Sequence, residues 1–391
     1  MARFRDTGGG LKRIAILGST GSIGQQTLEV ARVLSDKLSV VGLAAGSNAR
    51  LLAGQVGEFR PRMVSFAGPA SQLRESLPPR SQPAPETVTL EEMAAHPGVD
   101  LVVIATAGRA GLAPTLAAIR AGKEVALANK EVLVMAGALV MAEARKHGVK
   151  IRPVDSEHSA IWQCLKGEQK RKVARLLLTA SGGPFRRYTS RKMEAITPEQ
   201  ALNHPTWRMG RKVTIDSATL MNKGMEVIEA HWLFGLPYSR ISVVVHPQSV
   251  VHSMVQFADG SIKAQLSRPD MRLPIQYALV YPDRHSNADL PIMDWDAALS
   301  LDFEPPDLDR FPCLRLAREA GAKGGTHPAV LCAADEVAVD LFLSHRIGLA
   351  DIARLVGDTL EGHRGVARPS LDDVLEADAW ARRHAGKWRR R

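Results

Sequence analysis

The sequence predicts an α/β fold, with a parallel sheet in its N-terminal part and a mixed or antiparallel sheet in its middle. Three observations carry this. A short buried-type run, Arg13-Ile-Ala-Ile-Leu17, leads at once into Gly18-Ser-Thr-Gly21-Ser-Ile-Gly24 and an amphipathic stretch over 25–34. Apolar runs at 38–45, 63–66, 101–105 and 124–127 then alternate with helical stretches, the β-α rhythm of a parallel sheet. Beyond residue 240 the pattern changes to alternation through Ile241, Val243 and Val245, and again over 251–257 and 261–266, with Asp259-Gly260 as a hairpin turn.

Composition narrows the function. With 391 residues, 45% hydrophobic and 24% charged, the chain reads as a folded globular protein of two or three domains. No apolar run approaches the ~18 residues of a membrane span. The most apolar region, 125–144, carries Lys130, Glu131 and Glu143. Residues 1–12 are basic and glycine-rich without a hydrophobic stretch, so a secretory signal is not expected. Three widely separated cysteines, Cys164, Cys313 and Cys332, point to reduced thiols and a cytoplasmic location. A net charge of +10 invites a nucleic-acid reading, but the basic residues are spread along the chain and aromatics make up only 5%. Neither nucleic acid nor membrane is therefore expected as a partner. An anionic substrate or cofactor accounts for part of the positive excess equally well.

Taken in order, the first element is the most informative. Strand, glycine loop and helix in succession bring backbone N–H groups and a helix N-terminus up to a pyrophosphate, so a Rossmann-like domain is expected. The Gly-x-x-Gly-x-x-Gly spacing is a variant of the usual fingerprint, and a plain tight turn would use the same residues. The 38–45 strand ends in Gly46-Ser47-Asn48-Ala-Arg50, without the acidic residue that holds the ribose 2′-hydroxyl in NAD sites. Ser47, Asn48 and Arg50 suit a 2′-phosphate, so NADP(H) is predicted. Ala128-Asn129-Lys130-Glu131 follows the 124–127 strand at its C-terminal end, where open α/β sheets bind ligands.

Candidate chemistry gathers in the middle. A strand over 150–154 is closed by Asp155-Ser156-Glu157, and strand alternation puts the two carboxylates on one face. With Glu226 they make three oxygen donors, suited to Mg²⁺ or Mn²⁺ with open positions for substrate. Asp155 is equally suited to cap the next helix, and spacing this long does not by itself define a metal site. Ala180-Ser181-Gly-Gly-Pro184 is a glycine turn able to offer N–H groups and a hydroxyl to an anion, or simply a turn. His204-Pro-Thr-Trp207-Arg-Met209-Gly210 reads as an irregular segment in which Trp207 is either packing or part of a lid. A helix is expected to open at Asp216 or Ser217. Met221, Met225, Ile228 and Trp232 form its apolar stripe. Asn222, Lys223 and Glu226 flank that stripe, either as a solvated edge with a Lys–Glu pair or as one wall of a site.

These motifs, together with Val154-Asp-Ser-Glu157, Asp216-Ser-Ala-Thr-Leu-Met-Asn-Lys-Gly224 and His246-Pro-Gln-Ser-Val-Val-His252-Ser253, resemble the 1-deoxy-D-xylulose 5-phosphate reductoisomerase family over about residues 12–385. The resemblance implies a homodimer subunit with a flexible extension at 1–11, an NADPH-binding domain at 12–154 and a central α+β domain at 155–280 for catalysis, substrate and dimerisation. A linker at 281–311 and a helical C-terminal domain at 312–391 complete it. The activity implied is the NADPH- and divalent-metal-dependent rearrangement and reduction of 1-deoxy-D-xylulose 5-phosphate to 2-C-methyl-D-erythritol 4-phosphate, for isoprenoid precursors.

Carried over residue by residue, Asp155, Glu157 and Glu226 match the metal ligands and, with the substrate-side Lys130, the catalytic set. Ser156, Ser181, His204, Ser217, Asn222 and Lys223 match substrate contacts, with the serine, Asn and Lys group on the phosphate and Ser217 at a helix N-terminus. Trp207 and Met209 match the closing loop, and His252 a further substrate contact. Thr20, Gly21, Ser22, Ile23, Gly46, Ser47, Asn48, Asn129, Glu131 and Gly210 match NADPH contacts. Ser47 stands where some members carry Lys, and Asp335 where they usually carry Asn. Two competing readings are an NADP-dependent aldehyde dehydrogenase, which would need a nucleophilic cysteine with a histidine, and a non-catalytic NADP- or nucleic-acid-binding protein.

Overall fold

The computed structural model describes residues 10–77, 84–203, 207 and 209–390. The chain forms two compact units. The first comprises Met1–Asn129, Glu143–Val154 and Met271–Leu290; the second comprises Lys130–Ala142, Asp155–Asp270 and Pro291–Arg391.

In the first unit, seven strands form one sheet: β1 (Lys12–Leu17), β2 (Leu38–Ala45), β3 (Met63–Phe66), β4 (Glu86–Thr87), β5 (Leu101–Ile104), β6 (Glu124–Leu127) and β7 (Ile151–Pro153). Their order is β4-β3-β2-β1-β5-β6-β7, and every neighbouring pair is parallel. Helices α1 (Ser22–Val33), α2 (Ala49–Phe59), α3 (Ala70–Ser76), α4 (Leu90–Ala95) and α5 (Leu112–Arg120) supply the crossovers that parallel pairing demands. The topology reverses direction between β1 and β5, the place where such sheets open a crevice at their strand C-termini. Ile14, Ile16, Leu43, Leu101 and Val103 are essentially fully buried and belong to one apolar core. Runs buried on both faces explain why these strands read as continuous apolar stretches instead of alternating ones.

The second unit takes in α6 (Lys130–Lys146) as far as Ala142, then α7 (Ser156–Cys164), β8 (Val173–Ala180), the short α8 (Ser190–Met193) and α9 (Pro198–Ala201), α10 (Arg211–Thr219) and α11 (Met221–Phe234). Strands β9 (Ile241–Val245), β10 (Val251–Phe257) and β11 (Ile262–Leu266) follow. The four-stranded sheet has the order β11-β10-β8-β9 and is mixed: β9 runs parallel to β8, while β10 is antiparallel to β8 and to β11. The long helical crossover between β8 and β9 permits the parallel pair, and the tight turn at Asp259-Gly260 permits the antiparallel one. Helix α12 (Arg272–Val280) belongs to the first unit, where it packs on α1. Helices α13 (Pro312–Lys323), α14 (His327–Leu343), α15 (Leu349–Glu361) and α16 (Leu371–Ala385) complete the second unit, α14 packing on α15 and α16, and α13 on α11.

Two local expectations fail. No helix opens at Asp216 or Ser217; both lie in the last turns of α10, and the break falls at Leu220, which takes the left-handed conformation at φ 59°. The Leu220 side chain is 3% exposed, so burial of its apolar body stabilises a backbone state that a leucine otherwise avoids. Asp155 and Glu157 are not strand neighbours either. The strand ends at Pro153, Asp155 is the residue preceding α7, and Glu157 sits in that helix's first turn.

Candidate active site

Three segments of the second unit converge: the start of α6 with Lys130, the start of α7 with Asp155, Ser156 and Glu157, and the first turns of α11 with Asn222, Lys223 and Glu226. Each of Asp155, Glu157 and Glu226 offers a carboxylate oxygen, and these oxygens all lie within 4.8 Å of one another. Like charges this close repel unless cations intervene. Two ammonium groups do so here. Lys130 Nζ donates to Asp155 Oδ2 at 2.7 Å, to Asn222 Oδ1 at 2.6 Å and to Glu226 Oε1 at 3.4 Å. Lys223 Nζ donates to Glu157 Oε1 at 2.9 Å and, at closer range, to Glu226 Oε2. Asn222 Nδ2 donates to Glu226 Oε1 at 2.6 Å, and Ser156 Oγ to Glu157 Oε2 at 2.7 Å.

The cluster is buried and its electrostatics follow from that. Burial first, and the Glu157 carboxylate second, push Glu226 up to about 7. For Asp155 burial works in the same direction, but the Lys130 ammonium outweighs it and holds the group at about 2. Burial alone would lower the Lys130 pKa; the facing carboxylates, Asp155 foremost, raise it well above the ordinary lysine value. Three carboxylates against two ammoniums leave a net negative pocket of hard oxygen donors, which fits a Mg²⁺- or Mn²⁺-type ion.

The helix flank that reads from sequence as a possible solvated edge is therefore interior: Lys223 is 3% exposed and Glu226 0%. Ser217 and the Ser181 turn are also brought together. A Cβ on Gly183 would stand 2.8 Å from the Ser217 carbonyl oxygen, so only glycine, at φ 68°, lets the turn reach α10. The Gly183 N–H donates to Ser181 Oγ at 3.2 Å. His252 is buried and its Nε2 lies 2.8 Å from Ser267 Oγ. Burial lowers the His252 pKa, keeping the ring neutral. The Trp207 ring centroid is 6.3 Å from that of His252, and Met209 is half-buried just before Gly210, which caps α10. His204 lies outside the described residues.

The cofactor candidates divide between the units. In the first, Thr20, Gly21, Ser22 and Ile23 lie at the turn into α1, whose preceding residue Gly21 has no side chain to occupy the free N–H groups. Gly18, at φ 97°, touches the chain leaving β5: a Cβ there would meet Ala105 O at 2.4 Å. Gly46, Ser47 and Asn48 are exposed beyond β2, Asn48 capping α2 through Leu51 N–H at 3.1 Å. Asn129 is buried, its amide donating to the carbonyls of Thr106 and Gly108 at 2.8 Å each. Glu131 and Gly210 belong to the second unit, where Glu131 faces Lys212 at 3.8 Å.

Two buried residues beside the carboxylates escape the sequence reading. His158 Nε2 lies 2.9 Å from the Glu226 carbonyl oxygen, and His158 Nδ1 lies 3.5 Å from Glu229 Oε2 and 3.9 Å from Asp155 Oδ2. Burial pushes Glu229 up to about 7. The signal was present: Asp155 to His158 and Glu226 to Glu229 are both i, i+3 steps, which share a helix face. The cysteines, by contrast, hold no site. All three are buried, and burial raises each thiol's pKa, to about 11 for Cys164, the opposite of what a nucleophile needs.

Known proteins share this architecture. Residues 14–137 match the family described as 1-deoxy-D-xylulose 5-phosphate reductoisomerase, and 151–234 and 266–384 match two descriptions of that enzyme's C-terminal domain. The 1-deoxy-D-xylulose 5-phosphate reductoisomerase of Heliobacterium modesticaldum is 56% identical over 380 residues, 96% of this chain and 97% of the relative. The solved enzyme from Zymomonas mobilis, in complex with NADPH, is 44% identical with a TM-score of 0.88, covering 96% of this chain and 98% of that one. A second solved reductoisomerase, in complex with NADPH, fosmidomycin and magnesium, is 40% identical with a TM-score of 0.89, covering 96% and 97%. Identity above one half over 96% of the chain, with family matches over 14–137, 151–234 and 266–384, means that the chain belongs to the 1-deoxy-D-xylulose 5-phosphate reductoisomerase family.

Proposed function

We infer that this chain catalyses the NADPH- and divalent-metal-dependent rearrangement and reduction of 1-deoxy-D-xylulose 5-phosphate to 2-C-methyl-D-erythritol 4-phosphate, a step of isoprenoid precursor synthesis. The observation that carries the reading is the convergence of Asp155, Glu157 and Glu226 oxygens beside Lys130. When bound, a divalent ion on those three carboxylates supplies an electrophile for the substrate ketone, and NADPH supplies the reducing equivalent.

The remaining work falls to the chain's own side chains. Lys130 keeps its proton because carboxylates surround it, so its Nζ serves as a donor to negative charge developing on a substrate oxygen and not as a base. Asn222 accepts from Lys130 and donates to Glu226, which orients both. Ser156, Ser181, Ser217, Asn222, Lys223 and His204 are assigned to the substrate, with Ser181, Ser217, Asn222 and Lys223 on its phosphate. The phosphate is remote from the reacting carbons, so its binding energy is available to draw the Trp207–Met209 segment over the substrate and exclude water. His252, neutral and fixed by Ser267, suits a hydrogen bond to substrate at that segment. NADPH is assigned to Thr20, Gly21, Ser22, Ile23, Gly46, Ser47, Asn48, Asn129, Glu131 and Gly210.

We propose further that the enzyme works in the cytoplasm as a homodimer, with either Mg²⁺ or Mn²⁺, and that 12–154, 155–280, 281–311 and 312–391 act as cofactor domain, catalytic domain, linker and helical domain. Support comes from the motif resemblance and, for the compartment, from three unpaired thiols. The deciding assay follows NADPH consumption with 1-deoxy-D-xylulose 5-phosphate, with and without EDTA. Consumption that needs both substrate and metal is expected; turnover that survives full chelation, or none with metal present, would remove the reading.

A further inference from the structure

A second buried ionic cluster runs along α10, from Lys212 in its first turn to Asp216 one turn on, and uses none of the residues assigned above to metal or substrate. Lys212 Nζ stands 2.7 Å from Asp216 Oδ2, one turn along the same helix, and 2.8 Å from Asp335 Oδ2 on α14. The side chains of Asp216 and Asp335 are 3% and 0% exposed. Asp216 Oδ1 and both Asp335 oxygens have no hydrogen-bond partner of good geometry, an arrangement that would be costly for two free carboxylates. Glu131 on α6 faces the same ammonium at 3.8 Å. One cation thus joins the helix that carries Ser217, the residue next to Lys130, and the helical bundle.

We propose that Lys212 is a positioning residue for the substrate phosphate: by clamping Asp216 of α10 to Asp335 of α14, it sets the last turn of α10, and with it Ser217, against the helical bundle. The proposal rests on the reading of Ser217 as a phosphate contact. Ser217 follows Asp216 directly, and its carbonyl is the wall against which the Gly183 turn is pressed. Movement of that turn of α10 would therefore disturb both serines assigned to the phosphate. Three residues on, Leu220 holds its left-handed conformation, so the direction of α11 is set from the same place.

The charge count gives the cluster a second signature. One ammonium faces two close carboxylates and a third further off, so the site favours retaining a proton on Asp216. Burial first and Asp335 second push the Asp216 pKa well above the ordinary carboxylate range. Other groups face the cluster too. On α14 Glu336 is drawn off by Arg382 of α16, and Cys332 stays protonated, as does Cys313 on α13. None of these supplies a further cation to the pair. A carboxyl whose folded-state pKa is raised contributes stability that is present below its unfolded value, near pH 4, and is lost as the pH rises toward the folded value.

The test is a double-variant cycle in the full enzyme with saturating NADPH and Mg²⁺. S217A alone is expected to raise KM for 1-deoxy-D-xylulose 5-phosphate about tenfold, and K212M alone to raise it by a comparable factor. In the S217A background K212M should add less than about twofold, because the lysine acts through that serine. K212R is expected to restore part of the loss. Equal factors in both backgrounds, or no effect of K212M in either, would overturn the proposal while the phosphate reading stands. An unchanged KM in S217A would instead remove the phosphate reading of Ser217 and the proposal with it. D335N, which keeps shape and removes one charge, covers the case in which K212M does not fold. Its Tm relative to the unaltered enzyme should climb by at least about 3 °C between about pH 5 and about pH 8. A difference independent of pH would show that Asp335 does not help to hold the Asp216 carboxyl protonated.

Discussion

Glu226 is the most enclosed of the three candidate ligands, its side chain 1% exposed against 17% and 18% for Asp155 and Glu157. It meets an ammonium on each oxygen and an amide on one of them. Replacing it by glutamine preserves shape while removing the charge that both lysines and a divalent ion require. E226Q is expected to lower kcat by more than about a hundredfold while NADPH binding, followed by nucleotide fluorescence, is unaffected. Turnover kept intact at saturating Mg²⁺ or Mn²⁺ would contradict the ligand role. Arg50 makes a separate residue-scale case. It is exposed at the start of α2, beside Ser47 and Asn48, with no acidic residue in that turn. R50A is expected to raise KM for NADPH several-fold and leave KM for NADH nearly unchanged, since only the former carries a 2′-phosphate. Equal effects on the two nucleotides would assign 2′-phosphate recognition elsewhere.

At the scale of elements, α11 is held by close approach more than by propensity. Gly224 lies on its buried face, where an added Cβ would come within 2.4 Å of Ala317 Cβ on α13. A methyl there has to separate the two helices, at a cost of about 1–3 kcal/mol for overpacking. G224A should therefore lower Tm by several degrees and, because Lys223 and Glu226 sit beside it, reduce kcat as well. A Tm within a degree of the parent would show that the α11–α13 contact yields easily. The same helix shows why boundaries resist sequence reading. Asp216 and Ser217 are residue types that cap helices. Here Asp216 is instead committed to Lys212 across one turn of α10, and the break four residues later is made by a leucine held in a left-handed state by its buried side chain. Local preference pointed to a start; tertiary contacts made it an end.

For the whole molecule, the proposed reaction requires both a reduced nicotinamide cofactor and a divalent ion. Chelation by EDTA is expected to abolish NADPH consumption, and added Mg²⁺ to restore it; failure of restoration would point to damage and not to metal loss. With substrate saturating, kcat/KM should favour NADPH over NADH by at least about tenfold, a margin worth ~1.4 kcal/mol. Much of the overall plan was legible in the chain. The Gly18–Gly24 turn, the strand periods and the change to alternation after residue 240 are local patterns, and each produced the element they predict. Steric limits at Gly18 and the two-residue period of a half-buried strand act over a few residues, so sequence alone determines them. The meeting of Asp155 and Glu157 with Glu226, the burial of Lys223, the enlistment of His158 and Glu229, and the bridge from Lys212 to Asp335 were decided only by the tertiary structure. Those contacts join residues dozens of positions apart, and the strength of a charge is set by the burial around it, which no local stretch of sequence specifies.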